Sequence, residues 1–176
     1  MQNESLTMKI NAMFYLLGAI PLLASCASQP ITLAPVGPNP LASRTSASGT
    51  GHLEVFSSLA EESDDQNQGS TDPIWYQHTD YTIYDARGKM VEHVENIAGH
   101  YSTSPRLVSL QPGNYVVRAR TTEGPAVSIP AVIELDRTTK VHLDENWKLP
   151  AGTPKTEIVC APGGYAVGWR ADLPSK

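Results

Sequence analysis

The stretch 107–119, Leu-Val-Ser-Leu-Gln-Pro-Gly-Asn-Tyr-Val-Val-Arg-Ala, constrains this chain more than any other. Two apolar runs flank Gln111-Pro112-Gly113-Asn114. Proline presets φ for the second position of a tight turn, and glycine accepts the positive φ that a type II turn needs next. The stretch therefore predicts an antiparallel hairpin. After the turn, Tyr115, Val117 and Ala119 fall on one strand face and Val116, Arg118 and Arg120 on the other. That alternation suits a strand with one buried and one wetter side.

Further strands follow from the same periodicity. Val127, Ile129, Ala131, Ile133 and Leu135 alternate against Ser128, Pro130, Val132, Glu134 and Asp136. Pro130 cannot donate to a ladder, which predicts that this strand lies at an edge or is interrupted there. Short strands are also expected over 52–59, 81–84 and 140–143. Asp85-Ala86-Arg87-Gly88 reads as a hairpin turn with Gly88 in the left-handed position. In the returning strand Val91, Val94 and Ile97 recur every third residue, which predicts a bulge or an edge strand. About seven short strands separated by turns predict an all-β fold, a single antiparallel β-sandwich. The 14 prolines and 13 glycines punctuate such a chain. With 176 residues, 18% charged and a net charge of -5, it fits one modest domain without a basic footprint for nucleic acid.

The N-terminal residues 1–25 read as an export signal. The apolar run Ala12–Leu23 is shorter than the ~20 residues of a comfortable membrane span. Either Met1 or Met8 serves as its start. The run ends in Leu23-Ala24-Ser25-Cys26, which resembles the lipobox of bacterial lipoproteins. Small residues let a signal peptidase close around an extended chain, and the cysteine sulfur carries diacylglycerol. The resemblance implies a lipidated, palmitate-bearing Cys26 as the first mature residue. Several acyl chains make a stable anchor where one is marginal. By the same resemblance, Ala27 in place of an aspartate implies sorting to the outer membrane, facing the periplasm, with surface display as the alternative.

Residues 26–51, with Pro30, Pro35, Pro38 and Pro40 ahead of a Ser/Thr/Gly cluster, read as a lipidated cysteine followed by a flexible tether. The folded domain is expected over 52–144, and 145–176 as a C-terminal extension with two further short strands around Pro162-Gly163-Gly164. The acidic stretch 61–70, Glu-Glu-Ser-Asp-Asp-Gln-Asn-Gln-Gly-Ser, reads as a solvated loop. It offers oxygens to a hard cation, but not at the EF-hand spacing. Cys160 has no mature partner other than Cys26 and reads as a buried, inert thiol, with intermolecular pairing as the alternative.

The segment Tyr-Thr-Ile-Tyr-Asp-Ala-Arg-Gly-Lys at 81–89, followed by the Pro-Gly-Asn-Tyr strand at 112–115, resembles the carboxypeptidase regulatory-like, transthyretin-like (prealbumin-like) β-sandwich family. The resemblance covers 52–144 and implies an accessory envelope module with no chemistry of its own.

No catalytic centre emerges from the residues. His52, His78, His93, His100 and His142 stand singly, without metal-ligand spacing, and no nucleophile elbow or phosphate loop is present. No enzyme activity, cofactor or metal is expected. Two functions remain. One is a lipid-anchored structural or protein-interaction module whose strand edges dock another envelope protein. The other is an envelope carbohydrate-binding module that uses Trp75, Tyr76, Tyr84, Tyr101 or Trp147 as an apolar platform, with core packing as the competing explanation of these aromatics.

Overall fold

The computed structural model describes residues 30–43, 49–60, 77–97, 104–122, 124 and 126–171. Among them the fold is β-rich, with a single 3₁₀ turn at Lys155–Glu157 and no α-helix. The larger sheet has eight strands: β1 (Ile31–Thr32), β2 (Val36–Gly37), β6 (Tyr81–Asp85), β7 (Met90–Val94), β9 (Gly113–Arg120), β10 (Ala126–Ile133), β12 (Ile158–Cys160) and β13 (Ala166–Arg170). Their order is β12-β13-β2-β10-β9-β6-β7, with β1 also beside β10. A three-stranded sheet joins β3 (Gly51–Phe56), β8 (Leu107–Leu110) and β11 (Thr138–His142) in the order β11-β3-β8. A small pair links β4 (Leu59–Ala60) to β5 (Gln77–His78). Leu53, Val55, Val108 and Val141 from the smaller sheet share one core with Val36, Ile83, Val117 and Ile129 from the larger.

The sheets are mixed, not purely antiparallel as periodicity suggested. β1 and β2 run parallel to β10, and β11 runs parallel to β3. Alternation specifies which face a residue takes but carries no information on strand direction.

Within the proline-rich segment expected as a tether, Ile31–Thr32 and Val36–Gly37 are strands of the larger sheet. Val36 is fully buried between β10 and β13. Leu33, Val36 and Pro38 are the apolar side chains that make this possible. The C-terminal β13, itself paired with β12, lies beside β2, so strands from near both ends of the described residues are neighbours in one sheet.

The turn at Gln111–Asn114 is not a hairpin. β8 pairs only with β3, and β9 pairs with β10 and β6, so the chain crosses from one sheet to the other at Pro112. Gly113 is not among the glycines with positive φ. Turn chemistry marks a bend, but whether the two arms pair depends on which sheet each can bury its apolar face against.

Pro130 lies in a central strand. The Leu33 N–H donates to the Ser128 carbonyl at 2.9 Å, so the backbone groups of Ser128 and, two residues on, of Pro130 face the β1/β2 side. There the absent N–H falls opposite the break between Thr32 and Val36. The Asp85–Gly88 turn forms as expected, with Gly88 at φ 79° and Asp85 Oδ1 accepting from Arg87 N and Lys89 N at 2.8 and 2.9 Å. β7 is an edge strand, and the β6–β7 register shifts between Ile83 and Tyr84.

Candidate functional site

A cleft of about 300 Å³ runs along β11, lined by Thr138, Lys140 and His142, by Pro38 and Asn39 after β2, and by Trp147 and Trp169. Strand alternation produces it. Thr139 and Val141 turn inward and are fully buried, which directs Thr138, Lys140 and His142 to the opposite face. On β3 the register partners of these three are His52, Glu54 and Phe56.

An aromatic column forms one wall. The His142 ring stacks on Phe56 at 4.3 Å, Trp147 stacks on His142 at 4.9 Å, and Trp169 meets Trp147 edge-on at 6.0 Å. Such pairs contribute ~0.5–1.5 kcal/mol beyond their buried area. Glu145, at φ 63°, takes the left-handed conformation two residues before Trp147 and helps turn the chain back over His142. Asp136, at φ 57°, occupies the same region just before β11. Left-handed backbone costs a non-glycine residue about 1–2 kcal/mol, so both ends of the strand that builds the cleft carry strain.

Electrostatically the cleft is balanced. Burial lowers the His142 imidazole from its ordinary 6.5 to about 4, against the pull of Asp144, whose Oδ1 lies 3.9 Å from Nδ1. The ring is therefore neutral near pH 7 and acts as a flat plate. Lys140 Nζ pairs with Glu54 at 2.8 Å, and Arg137 Nη1 donates to Glu134 at 2.7 Å. Arg137 Nη2 also donates to the Asn39 carbonyl, fixing the segment after β2 against the start of β11. With both cations tied to carboxylates and two indoles in the lining, the cleft suits an apolar or aromatic group more than an ion.

Of the five aromatics expected as a platform, Tyr84 and Trp147 fall within the described residues, and they lie apart. Trp75, Tyr76 and Tyr101 lie outside the described residues, as do Leu23, Ala24, Ser25, Cys26, His100 and the acidic stretch 61–70. Trp147 is half-buried, with one ring face on His142. Tyr84 lies under the Arg118 guanidinium, 4.6 Å from the ring centre. Four strand spacings of ~4.8 Å separate β6, which carries Tyr84, from β13, which carries the Trp169 beside Trp147. One sugar ring cannot span both.

Among the described residues, the other histidines have separate structural partners. His78 Nδ1 lies 2.6 Å from the Ser57 carbonyl, His52 shares a hydrogen bond with Ser109, and His93 lies 3.6 Å from Asp80. Among the described residues no group of three His, Cys, Asp or Glu side chains could hold a metal ion. Cys160 is exposed, not buried, at the register shift of the edge strand β12.

Sequence reasoning singled out Trp147 but missed Trp169, Lys140, Arg137 and Asn39 as parts of one cleft. With Trp147 they come from four separate stretches of chain, and the β2–β13 pairing, the Pro38–Thr139 bridge and the Arg137–Asn39 hydrogen bond join three of these. Comparison with protein-family models, with curated proteins and with solved structures finds no match for this chain.

Proposed function

We propose that this protein is a lipid-anchored module of the bacterial cell envelope, tethered through Cys26 to the periplasmic face of the outer membrane, that binds a protein partner without catalysing a reaction. Its fold is read as a β-sandwich of the carboxypeptidase regulatory-like kind, elaborated by the N- and C-terminal strands. The cleft between β11 and β13 carries this reading. A largely apolar hollow with a polar rim is the form that accepts an aromatic or aliphatic anchor from a partner, and such anchors dominate interface energies.

Strand addition at β7 is the less favourable route. Glu92 is the register partner of the core residue Ile83 and reaches to Arg106 at 3.9 Å. An inward-facing charge of this kind on an edge strand discourages pairing with a further strand. Carbohydrate binding is the second reading, favoured by the presence of both Trp147 and Trp169 in one cleft.

Photocrosslinking from Ser43, on the cleft lining, tests the choice in living cells, with protein and glycan mass spectrometry of the products. A single envelope protein captured at Ser43, and lost on Trp147→Ala, is the expected result. Glycan recovered in its place reverses the assignment to sugar binding, and no Trp147-dependent product of either kind rejects the cleft as a binding site.

A further inference from the structure

The chain enters the fold close to its anchor. Only four residues separate Cys26 from Ile31, the first residue of β1. Even fully extended, that connection reaches no more than ~17 Å. The spacer is therefore much shorter than the run of prolines through Pro40 suggested, because the chain from Ile31 to Gly37 is already sheet.

Ile31 marks one end of the sheet. Its register partner Val127 is the second residue of β10, and Ala126 pairs with Arg120 at the end of β9. A shallow depression at this end brings Ile31 together with Thr121 and Gly124 of the β9–β10 turn and with Pro162 and Gly163 of the β12–β13 turn. A second depression is lined by Ala60, Ile97 and Arg120, the residue before Thr121, and Ser58 N–H donates to the Arg120 carbonyl at 3.1 Å. Three large aliphatic side chains are exposed around this end: Ile31 at 45%, Leu59 at 39% and Ile97 at 39%. Arg120 is exposed among them. The eight residues of β9 place the opposite end, with Gln111 and Leu135, ~25 Å away.

We propose that the end of the fold formed by Ile31 and the β9–β10 and β12–β13 turns rests on the lipid surface in which Cys26 is anchored. The inference depends on the lipid-anchor reading of Cys26. Ile31, Leu59 and Ile97 reach the headgroup region, where short aliphatic chains gain from partial burial, and Arg120 meets lipid phosphates. The β8–β9 crossing at Pro112 then points away from the bilayer, and the Trp147 cleft opens sideways, above the membrane plane.

Full-length protein in vesicles of phosphatidylethanolamine and phosphatidylglycerol provides the test. A Cys160→Ser background carries one nitroxide at a time, at Thr121→Cys, Pro162→Cys, Gln111→Cys or Leu135→Cys, and the vesicles contain a nickel-chelating lipid. All four positions lie in turns or beside them, and circular dichroism checks that each variant keeps its sheet. Alkyne-palmitate incorporation, lost on Cys26→Ala, reports the anchor independently. The expected result is relaxation several-fold stronger at Thr121 and Pro162 than at Gln111 and Leu135. Equal relaxation at all four, with palmitate still on Cys26, overturns the docked orientation and leaves the anchor intact. Absence of palmitate from the unsubstituted protein overturns the anchor and the orientation together.

Discussion

The two sheets meet along two flanks, and the flanks are built from different materials. Beside β2, β11 and β13 the contact is made largely by backbone. Pro38 bridges to Thr139, the Thr139 hydroxyl donates to the Val132 carbonyl at 2.6 Å, and the Lys140 carbonyl lies where a Cβ on Gly168 would come within 2.9 Å. Beside β7 and β8 the contact is made by side chains. Buried Asn96 donates to the Val55 carbonyl at 2.8 Å and to Ser57 Oγ at 3.0 Å, and accepts from Arg106 N–H at 3.0 Å. The first kind of join is intolerant of added volume, and the second of lost polarity. The cleft lies on the backbone-joined flank, where its walls are held by elements that cannot shift independently.

Gly168→Ala attacks the first flank and carries the largest expected effect. The added methyl would meet Val36 Cγ1 at 2.4 Å as well as the Lys140 carbonyl. Overpacking of this kind costs about 3 kcal/mol. A urea midpoint within error of the unsubstituted protein would mean that the flank yields, and the contrast between the two joins would disappear.

Asn96→Ala attacks the second flank. It removes three hydrogen bonds in a buried setting without adding volume, at a cost of about 2 kcal/mol. Asn96→Asp sharpens the test, because it keeps the acceptor for Arg106 N–H but loses both donors. If the aspartate variant were as stable as the parent, the donors to Val55 and Ser57 would contribute nothing.

The smallest effect distinguishes the flanks by pH. His142, in the cleft wall, has its imidazole lowered from 6.5 to about 4 in the folded chain. As pH falls below 6.5 the unfolded chain takes up this proton and the folded chain does not, so the stability present above 6.5 declines until about 4. By about pH 5.5, one unit into this window, the loss amounts to about 1–2 kcal/mol. Titration of the unfolding free energy of His142→Phe against the parent reads this directly. A parallel decline in both proteins would assign the acid sensitivity to another group.

Much of the strand content was legible because it depends on local alternation. Val127 through Ile133 and the Gly88 turn illustrate this, since each is decided by neighbours a few residues apart. What escaped depends on partners distant in sequence. Leu33, Val36 and Pro38 sit among prolines, and only β10 and β13, some ninety or more residues later, give Val36 something to bury against. The cleft was illegible for the same reason. Trp147 and Trp169 are equally aromatic in sequence, and nothing local distinguishes the one stacked on His142 from the one tucked at its edge. Cys160 shows the converse: without a mature disulfide partner it read as buried, but the irregular pairing of a short edge strand leaves it outside.

The position of β2 between β10 and β13 also bears on how the chain reaches this state. The sequence visits the larger sheet, the smaller, and then each again in turn, so neither sheet is complete until its strands have arrived from both halves of the chain. Non-local pairing of this kind makes folding slow, since loop closure precedes any compensating contact. β2, two residues long, has β10 on one side, and its other side is covered only by β13, which begins at Ala166. The larger sheet is thus completed only when β13, its last strand in chain order among the described residues, takes its place beside β2.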